Sequence, residues 1–279
     1  MQIDGWKYYN HAAIPTTAPH EAPDESALLN GDVWSIDGGT PLLARWTTEF
    51  DCGHETNWWY VIKDTPFDIN ALKAKRRYEI NKGIKNFYVK EIDPTIYGED
   101  LYNVQIAAFS AYPQKYRPTV VKEKFLTSVE TWRRFVCFGA FHKETGELCG
   151  YALLLKESEQ YIDFCVLKTC PEHEKNGVNA ALVYIILEHF NSFFVNGGYI
   201  CDGSRSINHE TAFQDYLEKY FEFRKSYCKL HIKYNPKLKW AISMAYPLRK
   251  ILLKFDGVGV LHQLNAVLRM EEIARENNE

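Results

Sequence analysis

The chain has 279 residues, of which 46% are hydrophobic and 15% aromatic, with 33 Lys and Arg against 36 Asp and Glu for a net charge of −3. That much apolar material fills one large core or two smaller ones and excludes a disordered chain. A charge balance this even leaves no whole-molecule footprint for DNA or an anionic membrane, so any such contact has to be local.

Seven cysteines stand at positions 52, 137, 149, 165, 170, 201 and 228. They are odd in number, never spaced CxxC, and several lie in apolar runs where a free thiol packs as a small hydrophobe. This usage predicts a reducing cytoplasm. The opening residues are polar and Pro-rich, with no apolar run behind basic residues, and no stretch reaches spanning length. Neither secretion nor a transmembrane helix is expected.

From the start to about Lys63 the prolines at 15, 19, 23 and 41 and the strand-like pieces Leu42–Thr47 and Trp58–Ile62 predict an extended, partly wrapped segment. Ile69, Leu72, Arg76 and Ile80 then recur three or four apart, predicting a helix over Asp68–Asn81 with Asp68 as cap and Gly83 as its end. A strand Phe87–Ile92, a helix Leu101–Tyr112 stopped by Pro113 and a helix Val121–Trp132 follow. Strands Phe135–Phe141 and Leu148–Leu155 flank the turn Lys143–Gly146, where Gly supplies positive φ. Tyr161–Leu167 is a third strand, and Gly177–Phe194 a long helix apolar on most faces, as a helix pressed on a sheet should be. Strand Tyr199–Cys201, helix His209–Phe221 and strand Arg224–Lys233 complete the order β-β-β-α-β-α-β. The chain is expected to divide into an N-terminal partial unit or cleft cap (1–90), a catalytic domain (91–240) and an amphipathic helical tail (241–279).

This order, with a glycine opening the main helix straight after the third strand, resembles the GNAT superfamily of N-acyltransferases from Phe135 to Tyr234. The resemblance implies an α/β (α+β) fold with a mixed, mostly antiparallel sheet flanked by helices, an acyl-CoA co-substrate and no metal. The first turn of a helix leaves backbone N–H groups unpaired at the positive end of its dipole, a seat for pyrophosphate. In this chain that turn is Glu174-Lys-Asn-Gly177-Val-Asn179-Ala. By the resemblance Asn176, Gly177, Val178 and Asn179, with Val166 and Leu167 of the third strand, hold the donor. The family pattern Arg/Gln-x-x-Gly-x-Gly/Ala keeps Gly177 but has Glu174 and Asn179 beside it. A carboxylate repels a pyrophosphate, so either Glu174 turns outward or the donor is not coenzyme A; the other reading is that Gly177 only starts a packed helix.

Asp202-Gly-Ser-Arg205-Ser206, with Phe213, Tyr216, Phe221 and the strand that follows, resembles the C-terminal half of Fem-type proteins, the peptidoglycan-bridge aminoacyltransferases and their exopolysaccharide-cluster relatives. Leu72 to Val89 resembles the helix and strand joining their two GNAT-like units. Phe221-Glu222 stands here where that family usually shows Gly. The resemblance implies a cell-envelope sugar or peptide precursor as acceptor, and it brings aminoacyl-tRNA in as an alternative donor.

Arg205, at a strand-to-helix turn, presents a fork that fits a carboxylate or phosphate, with Ser206 on the same anion or capping the helix; alternatively Arg205 is structural, paired with Asp202 or Glu210. Tyr216 lies on the helix where many GNAT enzymes carry a tyrosine that protonates the leaving thiolate, and otherwise it packs on the sheet. Strand alternation points Asp163 away from Ile162 and Phe164, as a base for the acceptor amine or as an exposed strand residue. A cleft is expected between strands Leu148–Leu155 and Tyr161–Leu167, whose splaying would free backbone N–H groups for the donor carbonyl.

Lys or Arg at 73, 75, 76, 77, 82, 85 and 90 face one acid, Glu79. Arg76, Arg77 and Lys82 could hold a phosphorylated carrier, a sugar nucleotide or a tRNA acceptor stem, or form a solvated face. Arg249–Lys254, with Phe255, Leu261, Leu264 and Leu268, forms a basic amphipathic tail for a membrane surface or for packing on the domain. Cys52, His54 and Glu55, and Cys170, Glu172, His173 and Glu174, lack the paired spacing of a zinc site. The expected function is transfer of an acyl group from acyl-CoA to an amine, with a tRNA-dependent aminoacyltransferase and a non-catalytic GNAT-like binding module as alternatives.

Overall fold

The computed structural model describes residues 3–114, 117–207, 212–255 and 259–277. In chain order the elements are β1 (Trp6–Tyr9), β2 (Ala12–Pro15), α1 (Ser26–Asn30), β3 (Leu43–Thr48), β4 (Trp58–Lys63), α2 (Ala74–Asn86), β5 (Phe87–Glu91), α3 (Gly98–Ser110), α4 (Lys122–Val129), β6 (Val136–His142), β7 (Leu148–Lys156), β8 (Tyr161–Thr169), α5 (Pro171–Glu174), α6 (Val178–His189), α7 (Asn191–Val195), β9 (Tyr199–Ser204), α8 (Ala212–Phe221), β10 (Arg224–Tyr234), α9 (Pro236–Ala245), α10 (Arg249–Leu252) and α11 (Gly259–Glu276). Two compact units interleave along the sequence, one of Met1–Val61, Ser204–Ala212 and Lys225–Glu279, the other of Ile62–Gly203 and Phe213–Arg224.

In the second unit the strand order is β9-β8-β7-β6-β5. Every neighbour is antiparallel except the parallel pair β8–β9. From Val136 onward the chain runs β6-β7-β8-α6-β9-α8-β10, the GNAT-like order the sequence predicts, in a mixed, mostly antiparallel sheet flanked by helices. Alternation along β6 and β7 sends Cys137, Tyr151 and Leu153 into a cluster with Leu101 and Val104 of α3 and Phe125 of α4. On the opposite face a Cβ added at Gly150 would meet Leu182 of α6 at 3.0 Å, and Phe138 packs edge-on to His189. Strands covered on both faces read as nearly continuous apolar runs, which is how β6 and β7 appear in the sequence.

Several helix boundaries depart from the sequence expectation. The carboxylate of Asp68 accepts from the backbone N–H of Asn70 at 2.8 Å and caps only a 3₁₀ turn, so the α-helix starts at Ala74. It then runs through Gly83 to Asn86, because the missing Cβ at Gly83 serves a helix crossing and not a stop. The long helix expected over Gly177–Phe194 is broken at Phe190 into α6 and α7, and the Asn191 side chain is used to bind the backbone N–H and C=O of Phe67 at 2.8 and 3.1 Å. Of the expected helix His209–Phe221, residues 209–211 lie outside the described residues.

In the first unit the order is β1-β2-β3-β10, followed by β4. The β1–β2 hairpin turns at Asn10 and His11, both with positive φ, and β2–β3 is parallel. Trp6, Ala13 and Ala44 share one face with Leu28 and Val33; Trp58, Cys228 and Leu230 pack on the other against Ile273 of α11. Arg45 is paired in register with Ile232. Its guanidinium lies 5.8 Å from the centre of the Trp58 ring and makes no hydrogen bond or ion pair with the described residues; burial lowers its pKa.

Candidate active site

The ladder between β8 and β9 has three pairs, Tyr161–Tyr199, Ile162–Ile200 and Asp163–Cys201, and then stops. Both strands continue, β8 to Thr169 and β9 to Ser204. They therefore part beyond Asp163 and Cys201, and the N–H of Gly203 donates to Cys201 Sγ at 3.2 Å. The sequence reading placed the splay one strand earlier, between β7 and β8. That pair is held from Gly150–Thr169 to Lys156–Ile162 and is interrupted only by a register shift between Leu153 and Leu154 that bulges β8 at Cys165. Val166 and Leu167 are thus ladder partners of Leu153 and Ala152.

Asp163 sits at the apex of this opening, and Asp202 follows its partner Cys201 directly. Burial raises the Asp202 carboxyl to about 7, with the negative charge of Asp163 adding to the rise and a hydrogen bond from Gln214 opposing it. A carboxyl with that affinity exchanges its proton near neutral pH, the property a general base needs. In the sequence Asp202 stands only as part of the Fem-like turn and as a partner for Arg205, with no catalytic role. The available signal was its place at the end of a parallel strand, where α/β proteins gather ligands, ahead of a glycine that takes φ 95°. Cys165 is exposed, but burial of its thiol and Asp163 beside it, at Sγ···Oδ2 3.4 Å, push its pKa to about 12, so it is no thiolate nucleophile.

Helix α8 flanks the opening. Gln214 donates to the backbone oxygen of Asp202 at 3.3 Å, and Phe213 packs edge-on to Phe164 of β8 at 5.9 Å. Tyr216 stacks on Phe213 and contacts Tyr220 and Phe221, all on its own helix. Its hydroxyl has no hydrogen bond among the described residues, and burial raises its pKa, so the phenol stays protonated. Glu222, where the Fem-type pattern has Gly, adopts φ 59° and so fills the glycine conformation with a side chain.

The start of α6 is closed by protein. Gly177 caps the helix with φ 86°, and a Cβ there would meet N and Cα of Gly83 at 2.8 and 2.9 Å. A Cβ on Gly83 would meet the Gly177 oxygen at 2.4 Å, so α2 lies directly on this turn. Asn86 donates to the Asn176 oxygen at 3.0 Å, Val178 is fully buried, and Asn179 accepts from the Thr169 hydroxyl at 2.8 Å. Arg76, Arg77 and Lys82 lie on α2; the Arg77 side chain donates to the Asn70 oxygen at 3.2 Å, while the side chains of Arg76 and Lys82 have no hydrogen bond or ion pair among the described residues.

Arg205 and Ser206 belong to the first unit. The Arg205 guanidinium stacks on Trp59 at 4.6 Å and donates to the backbone oxygen of Asn57. Burial lowers its pKa and Glu276 opposes the effect. These are the partners found, in place of Asp202; Glu210 lies outside the described residues. Arg205 and Ser206 line a cavity of about 270 Å³ together with Asn57, Arg269, Glu272 and Glu276. Glu272 is engaged by Arg249 at 2.8 Å and Glu276 by the Asn57 amide at 2.6 Å, while the Arg269 side chain has no hydrogen bond or ion pair among the described residues. Among the described residues no group of three or more His, Cys, Asp or Glu is placed to hold a metal ion.

No protein-family model and no curated protein matches the sequence. Among solved structures, the C-terminal domain of a putative lysylphosphatidylglycerol synthetase from Agrobacterium fabrum superposes with a TM-score of 0.50 and 11% identity, over 85% of this chain and 82% of that one. The L-PGS structure from Bacillus licheniformis superposes with a TM-score of 0.51 and 11% identity, over 98% of this chain and 86% of that one. Likeness at this identity concerns the fold. It agrees with the element order above: a mixed α/β chain built on a GNAT-like sheet.

Proposed function

We propose that the chain is an acyltransferase that moves an acyl group from an activated donor to an amine at the opening between β8 and β9. The observation that carries this reading is the parting of those strands at Asp163 and Cys201, beside a carboxyl raised to about 7. Above that pH Asp202 takes a proton from the acceptor ammonium. The freed nitrogen lone pair attacks the donor carbonyl carbon and a C–N bond forms, with the oxyanion held by hydrogen bonds from backbone N–H groups at the opening. Collapse breaks the bond to the leaving group, Tyr216 supplies its proton, and the second proton shed by the nitrogen restores the Tyr216 phenol. Positioning of the two substrates contributes the larger factor.

For the donor, the packing favours aminoacyl-tRNA over coenzyme A. Helix α2 occupies the space beside Gly177 where a pyrophosphate would sit, and the same helix carries the cations Arg76 and Lys82, whose side chains have no ion pair among the described residues. The acceptor is an amine of a cell-envelope sugar or peptide precursor, as the Fem-type resemblance implies.

The test is filter binding of aminoacyl-tRNA across a salt series, beside thermal melting with coenzyme A and acetyl-coenzyme A. Binding that weakens steeply with salt, and less steeply in Arg76→Ala/Lys82→Ala, supports the tRNA donor. Saturating coenzyme A that stabilises the parent by roughly 2.7 kcal/mol, and no longer does so in Gly177→Glu, would overturn it and return the donor to the α6 turn. Silence toward both donors leaves a GNAT-like binding module.

A further inference from the structure

After β10 the chain forms α9 and α10, joined by a 3₁₀ turn at Tyr246–Leu248. This strap is fixed to α11. Arg249 stacks on Tyr246 at 4.2 Å and binds Glu272 at 2.8 Å, Arg275 lies 4.0 Å from the Tyr246 ring centre, and Asn265 donates to the Leu252 oxygen at 3.2 Å. Leu238, Ile242, Tyr246, Leu252 and Leu253 are half-buried on the inner side.

The outer side has an unusual make-up. Trp240, Met244, Leu248, Ile251 and Phe255 are exposed by 65%, 67%, 52%, 57% and 55%. They recur every three or four residues through α9, the 3₁₀ turn, α10 and the 3₁₀ turn at Leu253–Phe255, alternating with the half-buried residues above. Isolated exposed apolar residues are ordinary, but a continuous row of five large ones marks a contact surface. Lys237, Lys239, Lys250 and Lys254 stand beside the row, exposed and without an ion pair among the described residues. Residues 236–255 contain no Asp or Glu, in a chain whose acids outnumber its bases.

We infer that this face lies on an anionic lipid bilayer, with the apolar row in the interface and the lysines among the headgroups. The charge decides between occupants. A second copy of the chain would bring its own lysines against these, and a neutral apolar protein groove would leave four unpaired cations at its rim. A phosphate-rich surface that is apolar just below its headgroups satisfies both features. No helix of the described residues is long and apolar enough to cross a membrane, so the contact is in the plane of the surface. The inference is independent of the acyltransferase reading.

The full chain would be floated with vesicles of phosphatidylcholine alone and of phosphatidylcholine containing about a third phosphatidylglycerol. Flotation is expected with the anionic vesicles, weak with the neutral ones and reduced by salt. Each lysine near an anionic surface contributes roughly five-fold in partitioning, so Lys237→Gln/Lys239→Gln/Lys250→Gln/Lys254→Gln should lose at least about a hundred-fold, and Trp240→Ser/Ile251→Ser about as much. These positions are exposed, so both variants keep the parent melting temperature. Failure of the parent to float, or equal flotation of parent and variants, overturns the inference. So does a concentration-dependent dimer abolished by Trp240→Ser/Ile251→Ser without vesicle binding, which would make the row an interface between copies.

Discussion

Replacing Asp202 by Asn tests the raised carboxyl through stability alone, without a known substrate. In the unfolded chain this group titrates near 3.8, and in the folded one near 7. The folded state thus holds the proton more tightly, and folding carries a penalty that is absent below 3.8, grows as pH rises toward 7 and is constant above it. At 1.36 kcal/mol per tenfold change in proton affinity, the penalty is roughly 4 kcal/mol at pH 8 and below about 2 kcal/mol at pH 5, as upper values for a group that retains some solvent contact. Asn cannot ionise and removes the pH-dependent part whatever its packing. Urea denaturation of parent and Asp202→Asn at pH 5, 6.5 and 8 should show the variant gaining about 2 kcal/mol on the parent from the lowest pH to the highest. A difference between the two proteins that is flat with pH would mean that Asp202 ionises normally, and it could not then be the neutral-pH base.

Turnover, once an acceptor is known, should rise with pH through about 7 and fall by roughly 10²-fold or more in Asp202→Asn, with the limb near 7 lost from the residual rate. Tyr216→Phe should melt with the parent but lose about 10²-fold in kcat, and an unchanged kcat would leave Tyr216 a packing residue. Gly83→Ala improves local helix propensity by about 1 kcal/mol, yet it places a Cβ 2.4 Å from the Gly177 oxygen; we expect a net loss of about 2 kcal/mol or more in denaturant titration, and a gain would show that the helices do not cross this closely. Arg45→Met should raise the melting temperature by a few degrees because it removes a half-buried cation with no hydrogen-bond partner among the described residues, and a fall would reveal a partner in solution.

The second unit was largely legible because its signals are local. Each strand from Val136 to Thr169 is an apolar run bounded by turn residues, and Gly146 marks the hairpin by its need for φ 75°. The errors came from residues whose role is set by a distant partner. Gly83 and Gly177 each look like punctuation in sequence, a stop and a start, but in space they are the two halves of one contact. Asp68 has the sequence signature of an α-helix cap, and nothing nearby distinguishes the 3₁₀ turn that it caps. Asp202 was passed over because its proton affinity comes from burial and from Asp163, on another strand, and a sequence shows neither. The first sixty residues looked irregular because β3, between Leu43 and Thr48, finds its partner in β10.

That last pairing has a consequence for the birth of the protein. Thr48 and His231, bonded across β3 and β10, are 183 residues apart. At a synthesis rate of about 5–20 residues per second, β3 emerges roughly ten to forty seconds before the strand that covers its edge. Meanwhile β1 and β2 shield only the opposite edge, and Trp6, Ala13 and Ala44 have no finished core to enter. The second unit needs nothing beyond Arg224 and can close first. The N-terminal strands are therefore the part of the nascent chain that a holding chaperone would have to protect.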